Sequence, residues 1–470
     1  MIKKRPIELD DSSSIFILVI VLSMLMLPNG FYLLASFATL ILMFFRIQSP
    51  YGTGIFSIIL LQHSIQIFAT VLQANYLNND INYRSPSSGI AVILSLFGLI
   101  ALFIPVIYFK NKLPQITRQD FEKHAKLIST NKAMYFYIAA FFVTSFLYSI
   151  AFLFAGFTQI ILSIVKIKWL FFLLFGFVTI IKNEKKKLFI LFVLIEILLG
   201  FFSYFSEFKT VIYYLFALLA SFIVVVNFKY LLYGVLLGSG LIFVAILWTN
   251  VKGEYRSFLN AGKGQQTIEV SRDDALNKLY DLSSDVDQHG LERSIEEFLD
   301  RLQYTYHFAK TIDRVPSIIP YQNGNNWWDV LQFATTPRIL NPDKPTIDNS
   351  VKTSKYTGLN YSGAKQGVSF SLGYFAECFI DFGYVGMIFP LMLLGLIYGK
   401  LFSYFVTKAS PNLLFNYAVA GSFFMEFNAF EMDGTVLIGR LFASTVTYII
   451  LIKSVFPIVH KLLLAPTESK

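Results

Sequence analysis

The sequence predicts an all-α integral membrane protein with about twelve transmembrane helices and one large, partly helical external loop. Two observations indicate this fold class. Hydrophobic residues make up 55% of the 470 residues and aromatic residues 17%, and the mean hydropathy is +0.58, far above that of a soluble globular domain. One long polar segment, residues 250–369, interrupts the apolar stretches.

The apolar stretches are the predicted spans. A hydrocarbon core of about 30 Å needs roughly 20 helical residues, and shorter spans are tolerated when they are buried by neighbours. Stretches that meet this requirement lie near 14–27, 31–45, 54–72, 89–109, 134–155, 160–181, 188–205, 211–226, 230–249, 384–405, 413–428 and 437–456. They divide the chain into about nine N-terminal helices (1–249), the external loop (250–369) and about three C-terminal helices (370–470).

The first two spans are short and are joined by Pro28-Asn29-Gly30. This tripeptide is a strong turn signal, so it favours a tight hairpin over one long bent helix. A secretory signal peptide is the alternative interpretation. No small-x-small cleavage site follows, and a second apolar span comes at once, so we expect the first span to be retained.

Basic residues concentrate in alternate connectors, which the positive-inside rule assigns to the cytoplasm. The cytoplasmic connectors are then Lys3–Arg5, Arg46, Lys110–Lys132, Lys182–Lys187, Lys229, Lys408 and Lys461. The opposite connectors are Asn29, Asn75–Ser88, Gly156, Ser206–Thr210, the long loop and Glu431–Thr435. Both termini are therefore predicted to be cytoplasmic.

The loop carries its own helical signals. Apolar residues recur at three- and four-residue intervals and predict one amphipathic helix, with a stripe formed by Leu291, Ile295, Phe298, Leu299, Leu302, Tyr306 and Ala309. A shorter helix is expected to start at Ser271, whose side chain can cap it. Trp327-Trp328 suits either an interfacial belt or a platform for stacking on a sugar.

Several classes of site are disfavoured. The single cysteine, Cys378, excludes an internal disulfide and a cysteine-built zinc site. The five histidines show no metal-binding spacing, so no metal or other cofactor is expected. The formal net charge of +9 comes from the short connectors, while the loop is nearly neutral, so nucleic acid is not an expected partner.

Two short motifs lie at the end of the loop. The run Thr336-Pro337-Arg338 continues to Asn341-Pro342-Asp343-Lys344-Pro345, and Glu377 precedes Asp381-Phe382-Gly383-Tyr384-Val385-Gly386, which is expected to start a helix. Together with the helix count and the loop position, these motifs resemble the Wzy-type O-antigen polymerases, also called oligosaccharide repeat unit polymerases. More distantly, the chain resembles the O-antigen ligases.

The resemblance implies a glycosyltransferase of the bacterial inner membrane. Such an enzyme joins polyprenyl-diphosphate-linked oligosaccharides (undecaprenyl diphosphate is the usual carrier) on the outer face of that membrane, without a metal. The product is a lipopolysaccharide O-antigen, a capsule or an exopolysaccharide. Membrane lipid, a flippase and a chain-length regulator are the implied partners.

A departing diphosphate must be met by cations, and arginine matches phosphate oxygens bidentately. The resemblance places Arg338 and Arg256 in this catalytic role. Further candidates for diphosphate or substrate binding are Lys209, Lys344, Arg440, Asp381 and His307. Lys209 has the alternative of pairing with Glu207 or extending to the interface, and Arg440 that of pairing with Glu431 or Asp433.

Carboxylates at the membrane face are candidates for the general base: Glu377, Asp381, Glu426, Glu431 and Asp433. Glu377 is the first choice because its position resembles a recurrent acid of the family. An ion pair with an arginine is its alternative role, and His307 can equally be a surface residue. Glu196, in the middle of a span, is expected to pair with a cation or a polar group.

Two other classes of function are compatible with a polytopic protein. A transporter or flippase of lipid-linked sugars would carry its charges along a path through the spans, in matched halves. A scaffold or sensor would need no cationic pocket. The charges here gather at one face and the halves do not match, which favours the transferase.

Overall fold

The structure is a computed structural model that describes residues 8–154, 156–201, 208–260, 269–284, 288–336, 341, 344, 348–363 and 369–465. The described chain is almost entirely helical. Its only strands are β1 (Glu8–Leu9) and β2 (Val225–Val226), which pair in parallel. The all-α class predicted from composition is therefore confirmed.

The helices of the first half are α1 (Asp11–Leu25), α2 (Gly30–Ile47), α3 (Ile55–Tyr76), α4 (Ser88–Lys112), α5 (Arg118–Lys126), α6 (Thr130–Ile150), α7 (Thr158–Val165), α8 (Ile167–Lys182), α9 (Lys186–Phe201), α10 (Phe208–Ala220) and α11 (Phe228–Leu259). The polar segment forms α12 (Arg272–Ser284), α13 (Gln288–Leu302), α14 (Tyr304–Arg314), α15 (Asn325–Thr335) and α16 (Asn349–Thr357). The last helices are α17 (Tyr374–Gly386), α18 (Ile388–Lys408), α19 (Leu413–Phe424) with a 3₁₀ turn (Met425–Phe427), α20 (Gly434–Ser454) and α21 (Phe456–Leu463).

Eight helices of the described chain are long and apolar enough to cross a membrane: Gly30–Ile47, Ile55–Tyr76, Ser88–Lys112, Thr130–Ile150, Thr158–Lys182, Phe228–Leu259, Ile388–Lys408 and Gly434–Ser454. Three shorter apolar helices, Asp11–Leu25, Phe208–Ala220 and Leu413–Phe427, accompany them. Each predicted span overlaps a helix of the described chain, but the span predicted at 211–226 extends beyond the end of α10 and includes β2. The count of twelve crossings stays a prediction.

Three helix boundaries differ from the predicted ones. The span predicted at 160–181 is interrupted at Lys166, between α7 and α8. Helix α11 continues ten residues beyond Thr249 to Leu259, because no proline stops it, so Arg256 lies on a helix. The helix expected to start near Phe382 begins earlier, at Tyr374, and Gly383 (φ 68°) forms a kink inside it.

The basic connectors gather at one end of the bundle. Lys182 Nζ donates to the Ile128 carbonyl (2.7 Å), and Lys132 Nζ donates to the Leu464 carbonyl (2.7 Å). The Asn412 amide donates to the His124 carbonyl (2.9 Å). Residues far apart in sequence therefore close this end, which we call the basic end.

The predicted N-terminal hairpin is confirmed, and its turn lies at the opposite end. The Asn29 side-chain amide donates to the Asn79 carbonyl (2.9 Å), and its carbonyl oxygen accepts from Ile81 N (2.9 Å). Inside the bundle, the expected partner of Glu196 is also present. Lys168 Nζ lies 2.9 Å from one Glu196 oxygen, and the Tyr137 hydroxyl donates to the other (2.7 Å).

The polar segment packs on the end opposite the basic one. The single amphipathic helix predicted for residues 291–309 is two helices, α13 and α14, broken at Gln303. Helix α13 packs on α3 and α11, and α14 packs on α3, α4 and α17. Phe308 and Ala309 are fully buried there. The predicted cap of α12 is confirmed, because Ser271 Oγ accepts from Asp274 N (3.2 Å).

Three buried carboxylates fix the rest of the segment. Asp381, on α17, accepts from the backbone N–H groups of Asn326 (3.2 Å) and Trp327 (2.8 Å) and so caps the N-terminus of α15. Lys352, on α16, lies 2.9 Å from Glu377 and 3.3 Å from Asp433. We call these last three residues the buried triad.

Both carboxylates of the triad also accept backbone hydrogen bonds. Gly434 N donates to Glu377 (3.2 Å), and Thr435 N donates to Asp433 (2.8 Å) at the start of α20. Burial lowers the pKa of Lys352, but the charges of Glu377 and Asp433 outweigh that effect and raise the pKa above its usual value. The triad therefore joins α16, α17 and α20 through one protonated lysine.

We expect Lys352→Ala to lower the free energy of unfolding by about 3–5 kcal/mol, because it leaves two buried carboxylates without their cation. Lys355→Ala, on the exposed side of the same helix, is the matched control. The measurement is the thermal unfolding midpoint of each purified variant in one detergent. Equal midpoints for the two variants would contradict a structural role for the triad.

Candidate functional site

Three cations from separate helices converge at the end of the bundle that carries the polar segment. They are Lys209 in the first turn of α10, Arg256 near the end of α11 and Arg301 near the end of α13. Burial, followed by the positive charges of Arg256 and Arg301, lowers the pKa of Lys209. The Lys209 side chain is solvent-exposed even so, a combination typical of a concave surface. We call this group the cation cluster.

A single carboxylate of the described chain, that of Glu431, acts on Lys209. Glu431 follows the 3₁₀ turn after α19 and is partly exposed. Its Oε2 accepts a short hydrogen bond from Gln66 Nε2 on α3, and Gln66 Oε1 accepts from Phe430 N (3.0 Å). Gln66 thus holds the carboxylate in place while leaving it close to the cations.

Helix α13 is fastened so that Arg301 reaches the cluster. On α3, Gln73 donates to Asp300 (2.7 Å), and Thr70 shares a short hydrogen bond with Thr305. Burial raises the pKa of Tyr304, Glu431 raises it further and Arg301 lowers it. Tyr304 therefore lies within electrostatic reach of both Arg301 and Glu431.

Arg84 completes the polar surface beside the cluster. Its guanidinium makes a short ion pair with Asp300 and lies 4.3 Å from the centre of the Tyr306 ring. Next to it, His307 Nδ1 lies 2.8 Å from the Tyr361 hydroxyl. Burial lowers the pKa of His307 to about 4, and the charge of Arg84 also lowers it, so His307 is neutral at pH 7.

The predicted first-choice base, Glu377, has a different environment from the expected one. It is completely buried in the triad, and its cation is Lys352 rather than an arginine. Burial raises the pKa of Glu377 well above its usual value. Asp381 and Asp433 cap helices, so neither faces the cation cluster. Of the outer carboxylates, Glu431 is the one placed beside the cations.

The remaining predicted cations lie elsewhere or are not described. Lys344 donates to the Phe333 and Thr336 carbonyls at the C-terminus of α15 and lies over the Phe333 ring, so its position is that of a helix cap. Arg440 acts on Glu426, together with Lys166, instead of pairing with Glu431 or Asp433. Arg338 lies outside the described residues.

The tryptophan pair divides between two environments. Trp327 N is bonded to Asp381 and its ring packs on the core, whereas the Trp328 side chain is 59% exposed. Trp328 therefore remains open to both interpretations, an interfacial anchor or a surface for stacking on a sugar.

The arrangement suits a multiply charged anion. Two guanidinium groups act on the Lys209 ammonium, and such cations bind phosphate oxygens well. In the described part of the chain, no three His, Cys, Asp or Glu side chains are grouped to hold a metal ion. Sequence reasoning missed Arg301, because it is one of many charged residues on an amphipathic helix. Its position is set by the bond from Gln73 on α3 to the neighbouring Asp300, a contact across 227 residues that no local pattern indicates.

The comparisons with known proteins identify a family of unknown function. No curated protein and no solved structure matches the chain. A family described as Domain of unknown function (DUF8712) matches residues 91–432, more than two thirds of the chain. The matched range includes Lys209, Arg256, Arg301 and Glu431. The chain therefore belongs to the DUF8712 family.

Proposed function

We propose that this protein polymerises polyprenyl-diphosphate-linked oligosaccharide repeat units into a surface polysaccharide, by metal-independent glycosyl transfer on the outer face of the bacterial inner membrane. The observation that carries the proposal is that the charges of Arg256, Arg301 and Glu431 all act on Lys209 at the end of the bundle where the polar segment packs. The expected partners are membrane lipid, a flippase and a chain-length regulator. Ligase-like transfer of a finished glycan uses the same chemistry at this site.

The chemistry assigns a role to each side of the cluster. A hydroxyl of the acceptor sugar attacks the anomeric carbon of the donor, whose bond to the diphosphate oxygen breaks. The leaving polyprenyl diphosphate gains negative charge, which Arg256, Arg301 and Lys209 stabilise, with Arg338 expected to join them. The hydroxyl proton passes to Glu431, which acts as the general base. Both bonds and protons balance without a metal or a redox step.

The position of the cluster fits the proposed sidedness. It lies at the end of the bundle opposite the basic connectors, where the polar segment packs. Positive connectors favour the cytoplasm, so the cluster would face the cell exterior or periplasm, where lipid-linked repeat units are joined. Both termini and residues 250–369 are assigned on this basis to the cytoplasmic and outer sides, respectively.

Cysteine labelling tests this sidedness. The native Cys378 is fully buried, so an impermeant maleimide should give little background. We expect Glu296→Cys, in the polar segment, to be labelled in cells whose outer barrier has been opened while the inner membrane stays intact. Lys126→Cys and Lys186→Cys should react only after the inner membrane is permeabilised. Labelling of Lys186→Cys in unpermeabilised cells would reverse the assignment.

The arginines test the leaving-group role. Arg256→Lys and Arg301→Lys should each lower transfer on the order of 10²-fold, because lysine cannot reproduce a bidentate contact with phosphate oxygens. Arg338→Lys is expected to behave alike. The measurement is polysaccharide chain length and accumulation of unpolymerised lipid-linked repeat in a strain lacking the chromosomal gene, complemented at matched membrane abundance.

Arg293→Lys is the matched control, since Arg293 is an exposed residue of the same helix as Arg301. It should leave the polysaccharide unchanged. Full-length polysaccharide from the alanine variants of both Arg256 and Arg301 would show that the diphosphate does not bind at this cluster. A flippase would give a different pattern, because its loss keeps repeat units on the inner leaflet and does not accumulate them outside.

Glu431 tests the base. Glu431→Gln keeps the size of the side chain and an oxygen for Gln66, but removes the proton acceptor, so transfer should fall on the order of 10²-fold or more. Glu297→Gln, an exposed acid of α13, is the control, and Glu377→Gln separates the two candidate bases. The same assay of unpolymerised repeat is used. Wild-type polysaccharide from Glu431→Gln would exclude this carboxylate as the general base.

A further inference from the structure

A second group of charges lies inside the spans, apart from the cation cluster. Lys166 is at the break between α7 and α8, Arg440 is on α20, and both act on the carboxylate of Glu426. Ser444 Oγ donates to Glu426 (3.2 Å) and also lies 2.9 Å from Ser163 Oγ. These hydrogen bonds link α7 to α20 and hold the Glu426 carboxylate against α20.

The charges of this group do not balance. Two cations face one acid, so one positive charge is in excess. Lys168 on α8, by contrast, forms an ion pair with Glu196 on α9 at 2.9 Å. In the described part of the chain, no ion pair within 4.0 Å involves Lys166 or Arg440. An unbalanced cation within a membrane is costly and favours an anionic partner.

The group is accessible from the lipid. Arg440 is exposed, and on the same helix Phe442, Val446 and Ile450 are exposed apolar residues, as expected of a surface that faces hydrocarbon. At about 1.5 Å per residue, Arg440 lies roughly 9 Å along α20 from Gly434, and Lys166 lies roughly 12 Å from the start of α7. Both cations are therefore at a similar depth below the same end of the bundle.

We propose that Lys166 and Arg440 form a second anion-binding site, which takes the phosphate or diphosphate headgroup of a polyprenyl lipid entering from the bilayer. The inference rests on the proposed function, in which both substrates carry a lipid diphosphate. The cation cluster would hold the donor, and this site would hold the acceptor lipid. Glu426 and Glu431, five residues apart, place the two sites next to each other.

Binding stoichiometry tests the site without requiring any transfer. The probe is a C55 polyprenyl diphosphate added to purified protein in detergent and counted by native mass spectrometry. The wild-type chain should bind two molecules. The double variant Lys166→Gln with Arg440→Gln should weaken one of them on the order of tenfold or more, because charged hydrogen bonds are lost.

Three variants guard against a merely structural effect. Lys453→Gln, at the other end of α20, is the matched charge control and should bind two molecules as the wild type does. Lys166→Arg with Arg440→Lys keeps both charges and should retain the second molecule. Glu426→Gln preserves the bond from Ser444 but removes the negative charge, so it should bind the second molecule more tightly.

Inorganic diphosphate and C55 polyprenyl alcohol distinguish the source of the anion. Both should bind this site far more weakly than the polyprenyl diphosphate. Inorganic diphosphate that binds as tightly as the lipid would overturn the lipid assignment. The second site would be overturned if the wild type binds only one lipid molecule. That molecule would be lost in the double variant Arg256→Gln with Arg301→Gln and retained in the Lys166 and Arg440 variants. If the wild-type chain binds two lipid molecules but catalyses no sugar transfer between lipid-linked repeat units, the proposed function alone would be contradicted.

Discussion

The ion pair of Lys352 with Glu377 and Asp433 attaches the polar segment to the helical bundle, and the candidate site depends on that attachment. Glu377 and Asp433 are buried at the starts of α17 and α20, where each would be costly without a cation. The lysine from α16 balances the charge of one of them, and burial raises the pKa of Glu377 well above its usual value. Because Asp381 also caps α15 from α17, the segment is held at two points a few residues apart.

A second set of contacts, made on α3 and α11, brings together cations distant in sequence. Helix α11 carries Arg256 beyond the apolar part of its span, and α13 returns to pack on both α11 and α3. Polar contacts between α3 and the start of the segment then set the position of Arg301. Glu431 is fixed from the other side by Gln66, also on α3. Helix α3 is thus the common support of the acid and of one of the arginines.

The ionisable groups of the outer half fall into two kinds. Some form ion pairs within the protein, such as Lys352 with Glu377 and Lys168 with Glu196. In the group around Glu426 two cations act on one acid, and in the cation cluster two arginines act on Lys209. Closed pairs stabilise the packing of helices, whereas unbalanced cations favour an anion from outside the chain. This difference separates residues that build the fold from those that are candidates for chemistry.

The sequence alone determined the helical class, the positions of the apolar helices and the gathering of basic connectors at one end. These follow from composition and from periodicity, which act over a few turns of helix. It also identified Lys209 and Arg256, since cations near the ends of apolar helices are few. The partner of Glu196 was correctly expected as well, because a lone charge in a span requires one.

Only the tertiary structure decided which acid faces which cation. Glu377 and Glu431 look alike in sequence, yet Lys352 reaches the first and Gln66 holds the second beside the cations. Arg440 and Arg256 are likewise both outer arginines, but they belong to different clusters. The role of an ionisable group depends on contacts hundreds of residues away along the chain. No local pattern encodes those contacts, because they arise from the packing of helices, and the sequence does not show which helices are neighbours.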